Sequence, residues 1–229
     1  MTTSDRKNRD VQVLEGEIAA RISALPIQNT ESVRSIRREY SKRLAKCAPE
    51  MVVDLAIRLV DRSHLLRFVG YELILHHRQA LQSLDAKILE RLGRGMDNWA
   101  AVDTFACYLS GPAWRERQIP DKLIHAWGRS LDRWWRRAAL VSTVPLNNSA
   151  RGGSGDVART LKICEKLVKD HDDMIVKAMS WALRELVKRD ATAVREFVDA
   201  HRKVLAARVI REVNNKLLTG LKNPKVSKV

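Results

Sequence analysis

Trp99 and Asp103 stand four residues apart in MDNWAAVDTFACYL, residues 96–109. Four residues are about one helical turn, so in a helix the indole and the carboxylate share a face. Val102, Phe105 and Leu109 define the apolar stripe of the same segment. A carboxylate so placed suits two tasks: an ion pair with a neighbouring Arg or Lys, or stabilisation of positive charge that develops during a reaction. The segment 173–189 sets a second tryptophan among cations. At 100° per residue, Trp181, Arg184 and Lys188 fall within about 40° of Lys177. Ile175, Met179, Ala182 and Leu186 lie opposite and form the buried stripe. An indole on a cationic face suits contact with sugar or base while phosphates are held. In LDRWWRRAALVS, residues 131–142, Arg133 and Arg137 are one turn apart and could clamp a phosphate; an Arg here could equally partner Asp103. Trp134 and Trp135 point to different sides, so at least one belongs to the core.

The elements that must carry these residues are helical. Apolar positions recur with helical spacing over 10–24, 31–46, 50–61, 64–77, 80–92, 96–109, 120–128, 131–142, 156–169, 173–189, 191–200 and 203–218. Thr30, Pro49, Pro120 and Asp156 stand where helices start. No stretch alternates with period two. Short helices at roughly 35–40 residues per pair predict an all-α, HEAT-like helical-repeat solenoid, with a compact bundle as the alternative. Such stacking gives a concave face for Arg34, Arg38, Lys42, Arg133, Lys177, Arg184, Lys188 and Arg208. The Asn-, Ser- and Gly-rich stretch 144–155 reads as a mobile loop, where Arg151 could touch phosphate, or as a plain connector. One domain is expected over 10–219, with loose ends at 1–9 and 220–229.

Composition narrows the partner. Lys and Arg number 42 against 27 Asp and Glu, a net charge of +15 on 229 residues. Charge of one sign in such excess opposes compaction unless a polyanion relieves it. Nucleic acid fits first; an anionic membrane surface or a ribosome-associated basic protein fits the charge as well. Residues that are 45% hydrophobic suffice for a core. No apolar run approaches the roughly 20 residues of a membrane span, and the polar N-terminus lacks a signal peptide's apolar stretch. Cys47, Cys107 and Cys164 are scattered and form no C-x-x-C pair, so neither a zinc site nor a disulfide framework is indicated, and a reducing, intracellular setting is expected. The adjacent His76 and His77 face differently on a helix and read as surface or packing residues. No metal or other cofactor is expected.

The run NWAAVD at 98–103, then WWRRAAL at 134–140, then VKAMSWALRELVKRD at 176–190, resembles the AlkD-like DNA alkylation repair glycosylases, from about residue 30 to 219. That family is built of HEAT-like repeats, and an aspartate, two tryptophans and a nearby arginine form an open cleft at the DNA. The resemblance places these roles on Asp103, Trp99, Trp181 and Arg137. Asn98 stands where members often carry a second aromatic, and an N-terminal Tyr-Met helix has no clear counterpart. The resemblance implies hydrolysis of the N-glycosidic bond of N3- or N7-alkylated purines in double-stranded DNA, with the lesion left stacked. The alternatives are a non-catalytic, structure-specific DNA-binding scaffold and a scaffold for an acidic protein. A monomer in the cytoplasm, on the nucleoid when bound to DNA, is expected.

Overall fold

The computed structural model describes the backbone of residues 3–224 and the side chains from residue 8 onward. Among the described residues every regular element is helical, as the periodicity requires, and the chain divides after Leu109 into two compact units where one domain was expected. The first contains α1 (Thr3–Ser23), α2 (Thr30–Leu44), α3 (Pro49–Val60), α4 (His64–Leu75), α5 (Arg78–Gln82), α6 (Ala86–Gly93) and α7 (Trp99–Phe105). α1, α3 and α6 pack in one layer and α2, α4 and α7 in the other. Val33, Ile36, Tyr40 and Leu44 form one stripe, buried on α2, whose start is capped by Asn29 accepting from the Ser32 N–H at 2.9 Å. Helices α3 and α4 approach closely because Gly70 has no side chain: a Cβ there would lie 3.0 Å from the Ala56 carbonyl oxygen. Leu55, Ala56, Leu59, Val69 and Ile74 are buried around that contact, and each large aliphatic side chain contributes about 1.5–3 kcal/mol.

The second unit contains α8 (Gly111–Arg115), α9 (Asp121–Trp127), α10 (Arg133–Val141), α11 (Val144–Asn147), α12 (Val157–Lys166), α13 (Asp173–Val187), α14 (Ala191–Ala200) and α15 (Ala207–Thr219). Here α9, α12 and α14 form one layer and α10, α13 and α15 the other. Between them lie Leu140, Ile163, Cys164, Ile175, Met179, Leu183, Val194 and Val213, all buried. The recurring two-layer order of helices is the helical-repeat architecture the sequence predicted.

Several expectations need correction. The helix expected over 80–92 is two helices, because the Asp85 carboxylate accepts from the Ile88 N–H at 2.7 Å and caps α6. The segment 96–109 becomes helical only at Trp99 and widens at its end into a π-helical turn, Ala106–Ser110. Pro112, which has no N–H to return to the carbonyl four residues back, follows that turn. The stretch 144–155, read as mobile, begins with α11, and Val144 to Asn147 are buried. A 3₁₀ turn, Ser149–Arg151, follows. Arg189 donates from Nε to the Asn147 carbonyl and from Nη2 to the Gly153 carbonyl, both at 2.7 Å. Of the residues expected to be loose at the N-terminus, 3–9 stand in α1. α15 stops at Gly220, whose φ of 72° suits glycine. Residues 1–2 and 225–229 of the two expected loose ends lie outside the described residues. No described helix is long and apolar enough to cross a membrane.

Candidate nucleic-acid interface

In the first unit the candidate chemistry rests on the start of α7. Asn98 accepts from the Ala101 N–H at 3.0 Å through its side-chain oxygen. This cap explains why an amide stands beside Trp99 rather than an aromatic. Val102 and Phe105 anchor α7 in the core, Phe105 with its ring 5.8 Å from that of Tyr71. The Tyr71 hydroxyl donates to the Leu92 carbonyl at 2.8 Å, and burial pushes its phenol up to about 12. On this support Trp99 is 59% exposed, with Asp103 half-buried one turn on. A cavity of about 460 Å³, bordered by Phe68, Tyr71, His64, Ala101 and Thr104, opens on a different side of α7.

The cations of α2 are placed less freely than their spacing suggested. Arg34 turns toward buried Glu72, donating to it from Nε at 2.8 Å, and its guanidinium lies 5.4 Å from the Phe68 ring centre. Arg37, not among the cations singled out on α2, is buried and donates to the other oxygen of Glu72 at 3.0 Å. Arg38 is exposed and pairs with Glu31 at 2.8 Å, and Lys42 is exposed. Glu72 was legible as an acid within the otherwise apolar end of α4.

In the second unit the arginines of α10 converge on the start of α13. Arg137 is only 5% exposed and donates from Nη1 to the Met174 carbonyl at 2.5 Å. Arg133 lies 3.3 Å from Asp172, and Arg136 donates from Nε to Asp170 at 2.7 Å. Asp172 in turn caps α13, accepting from the Met174 N–H at 2.9 Å. Arg137 therefore bears directly on where α13 sits, and with it Trp181. Both Trp134 and Trp135 are half-buried, and Trp135 lies 4.8 Å from the ring of Trp127. Arg151 is exposed, and its carbonyl accepts from Arg115.

Trp181 is half-buried, outside the buried stripe, as the wheel requires. The cations around it are engaged. Lys177 meets Asp173 at 2.6 Å, Lys188 meets Glu185 at 2.8 Å, and Arg208 reaches Glu212 at 3.0 Å and Asp173 at 3.2 Å. Arg184 donates to the Ser180 hydroxyl at 3.1 Å, and burial lowers its pKa from the usual guanidinium value. Ser180 donates to Glu212 at 2.6 Å. Glu212, which the spacing did not single out, is 2% exposed. Burial raises its pKa, but the Ser180 hydroxyl and Arg208 outweigh that and hold it below the ordinary carboxylate value. Among the described residues no group of three or more His, Cys, Asp or Glu is arranged to hold a metal ion.

Two layers of short helices in each unit, a strong positive charge and tryptophans set beside charged groups define a basic helical-repeat protein. The family model of the DNA alkylation repair enzyme matches residues 27–217, and the chain belongs to that family. None of the curated proteins matches it. Membership makes DNA its partner and the repair of alkylated DNA its role. Asp103, Trp99, Arg137 and Trp181 all lie within the matched span.

Proposed function

We propose that the protein is a DNA glycosylase that hydrolyses the N-glycosidic bond of N3- or N7-alkylated purines, such as 3-methyladenine and 7-methylguanine, in duplex DNA. The observation that carries this reading is the half-buried carboxylate of Asp103 one turn from the exposed indole of Trp99. A carboxylate beside an exposed indole is suited to meet positive charge that develops on a sugar. Alkylation puts a positive charge on the base. As the C1′–N bond breaks, its electron pair passes to the purine, which leaves neutral. Positive charge then builds on the deoxyribose, and little acid catalysis is needed. Asp103 stabilises that charge, more strongly where water is partly excluded. It also positions the water whose oxygen bonds to C1′ and whose proton passes through the carboxylate to solvent. The indole of Trp99 contacts the cationic sugar, worth about 0.5–2 kcal/mol. Trp181 contacts sugar in the same way. Arg137 helps to hold the DNA, through its own contact or through the start of α13 that it fixes.

The test is release of 7-methylguanine from alkylated duplex DNA by the wild type and by Asp103→Asn. The wild type should release the base and the variant should lose release while keeping its affinity for duplex DNA. No release by the wild type would identify a non-catalytic DNA-binding member of the family. Equal release by both proteins would remove Asp103 from the chemistry.

A further inference from the structure

The cations that flank Trp181 meet carboxylates, whereas on the solvent-facing side of α9 and α12 the cations outnumber the acids within reach. Lys122, His125 and Arg129 share the solvent-facing side of α9 and its end: on a wheel they lie within about 60° of one another. Lys162, Lys166 and Lys169 share the solvent-facing side of α12 and its end within about 60°. Lys122, Arg129, Lys162, Lys166 and Lys169 are exposed, and Ile124, Ile163 and Cys164 turn the other way into the core. α9 packs on α12, so the two cationic faces adjoin. His125 records the proximity: its imidazole is held below its usual pKa by burial first, then by Lys166, Arg129 and Lys162, with only Asp121 opposing. Asp121 is itself bound by the Trp114 indole N–H at 2.7 Å. Glu165 reaches Lys162 at 3.7 Å.

We infer that this α9–α12 face is a second DNA-contact surface, which takes the phosphate backbone without reading bases. The inference rests on DNA being the partner, and not on base excision. Cations that outnumber the carboxylates among them repel one another, and a row of phosphates relieves that repulsion. An acidic protein would fit the charge but not the rest of the face. Protein interfaces draw their energy from buried aromatic and apolar anchors and are poor in lysine. The exposed apolar residues among these cations are Ala126 and Ala158, and no exposed large apolar side chain lies on α9 or α12. Nor does any aromatic or amide side chain stand ready to read a base edge, so contact here is independent of sequence.

The experiment measures affinity for an undamaged duplex against salt, for the wild type and for Lys122→Gln/Lys166→Gln/Lys169→Gln. These three side chains are exposed, so the fold is kept. Each phosphate that the variant no longer neutralises lowers the slope of log K against log salt by about 0.9, so the slope should fall by about two to three. In the wild type, duplex DNA should also raise the titration midpoint of His125, followed by NMR. An unchanged slope would overturn the inference. So would a His125 that responds to polyglutamate but not to duplex DNA of matched charge, which would assign the face to an acidic protein. Release of 7-methylguanine is scored in parallel. A reduced slope in a protein that releases no base keeps this surface and removes the glycosylase reading. Base release with an unchanged slope does the reverse.

Discussion

Glu72→Leu should cost about 3 kcal/mol of stability. Glu72 is 2% exposed and accepts from two arginines, Arg34 at 2.8 Å and Arg37 at 3.0 Å. Removing the acid leaves both without their carboxylate, but not equally. The Arg34 side chain is 35% exposed and can swing to water, whereas that of Arg37 is 9% exposed and cannot. One stranded buried charge puts the cost at the low end of the roughly 3–5 kcal/mol seen when a buried pair loses a partner. In a chain of this length, 1 kcal/mol shifts Tm by about 2–4 °C, so the midpoint should fall by about 6–12 °C. The companion variant Glu72→Leu/Arg37→Leu should recover most of the loss, because apolar side chains of similar volume replace a buried ion pair at little cost. Urea unfolding followed by circular dichroism reads both, with the slope checked for separate unfolding of the two units. His76 gives an independent readout. Burial and then Arg37 lower its pKa while Glu72 raises it, so its titration midpoint should drop further in Glu72→Leu. A loss below about 1 kcal/mol in the single variant, or a double variant no more stable than the single, would refute the reasoning.

Three further outcomes are expected. Gly153→Ala should destabilise by about 1–3 kcal/mol in urea unfolding, because its Cβ would fall 2.4 Å from the Pro145 carbonyl oxygen and 2.7 Å from that of Leu146, an overpacked site. Glu212 has a folded pKa below its unfolded one, near 4.3. Its contribution is therefore fully present above that unfolded value and is lost as pH falls through the folded value. Glu212→Gln should flatten the acid limb of stability against pH, and an unchanged limb would show that other carboxylates set it. Trp181→Ala should reduce base release more than affinity for undamaged duplex; equal losses in both measurements would make the indole structural.

Helical periodicity carried most of the fold because it is a local property, written wherever Val33, Ile36, Tyr40 and Leu44 fall on one stripe. The breaks at Asp85 and Asn98 are also written locally, as capping residues ahead of apolar runs, but the apolar pattern continues across them and hides them. The stretch 144–155 was misread for a different reason. Its Asn, Ser and Gly describe the freedom of an isolated chain. The groups that fix it lie outside it: Arg189, far along the sequence, on its carbonyls, and Thr160 on the next helix, whose hydroxyl accepts from the Asn147 amide at 2.9 Å. The candidate site divides in the same way. The wheel put Trp181 and Trp99 outside the core, because a face is a local property. It could not show that Arg208 meets Asp173 from another helix, or that Arg137 is buried against the Met174 carbonyl, since partners across a packed layer leave no mark on spacing.

The ion pairs around Trp181 bear on how a repair protein searches. Undamaged sites outnumber lesions by about a millionfold or more in a genome, so time spent on each intact stretch limits the whole survey. Lys177, Lys188 and Arg208 must let go of Asp173, Glu185 or Glu212 before they can serve a phosphate. On the proposed reading, each exchange would return less free energy than a bare cation, so the hold on intact DNA would be shallow and release quick. The carboxylates would then act as brakes on dwell time. They would leave the surface near Trp181 able to hop along the duplex, and reserve a longer stay for a stretch of DNA that offers something more than phosphate.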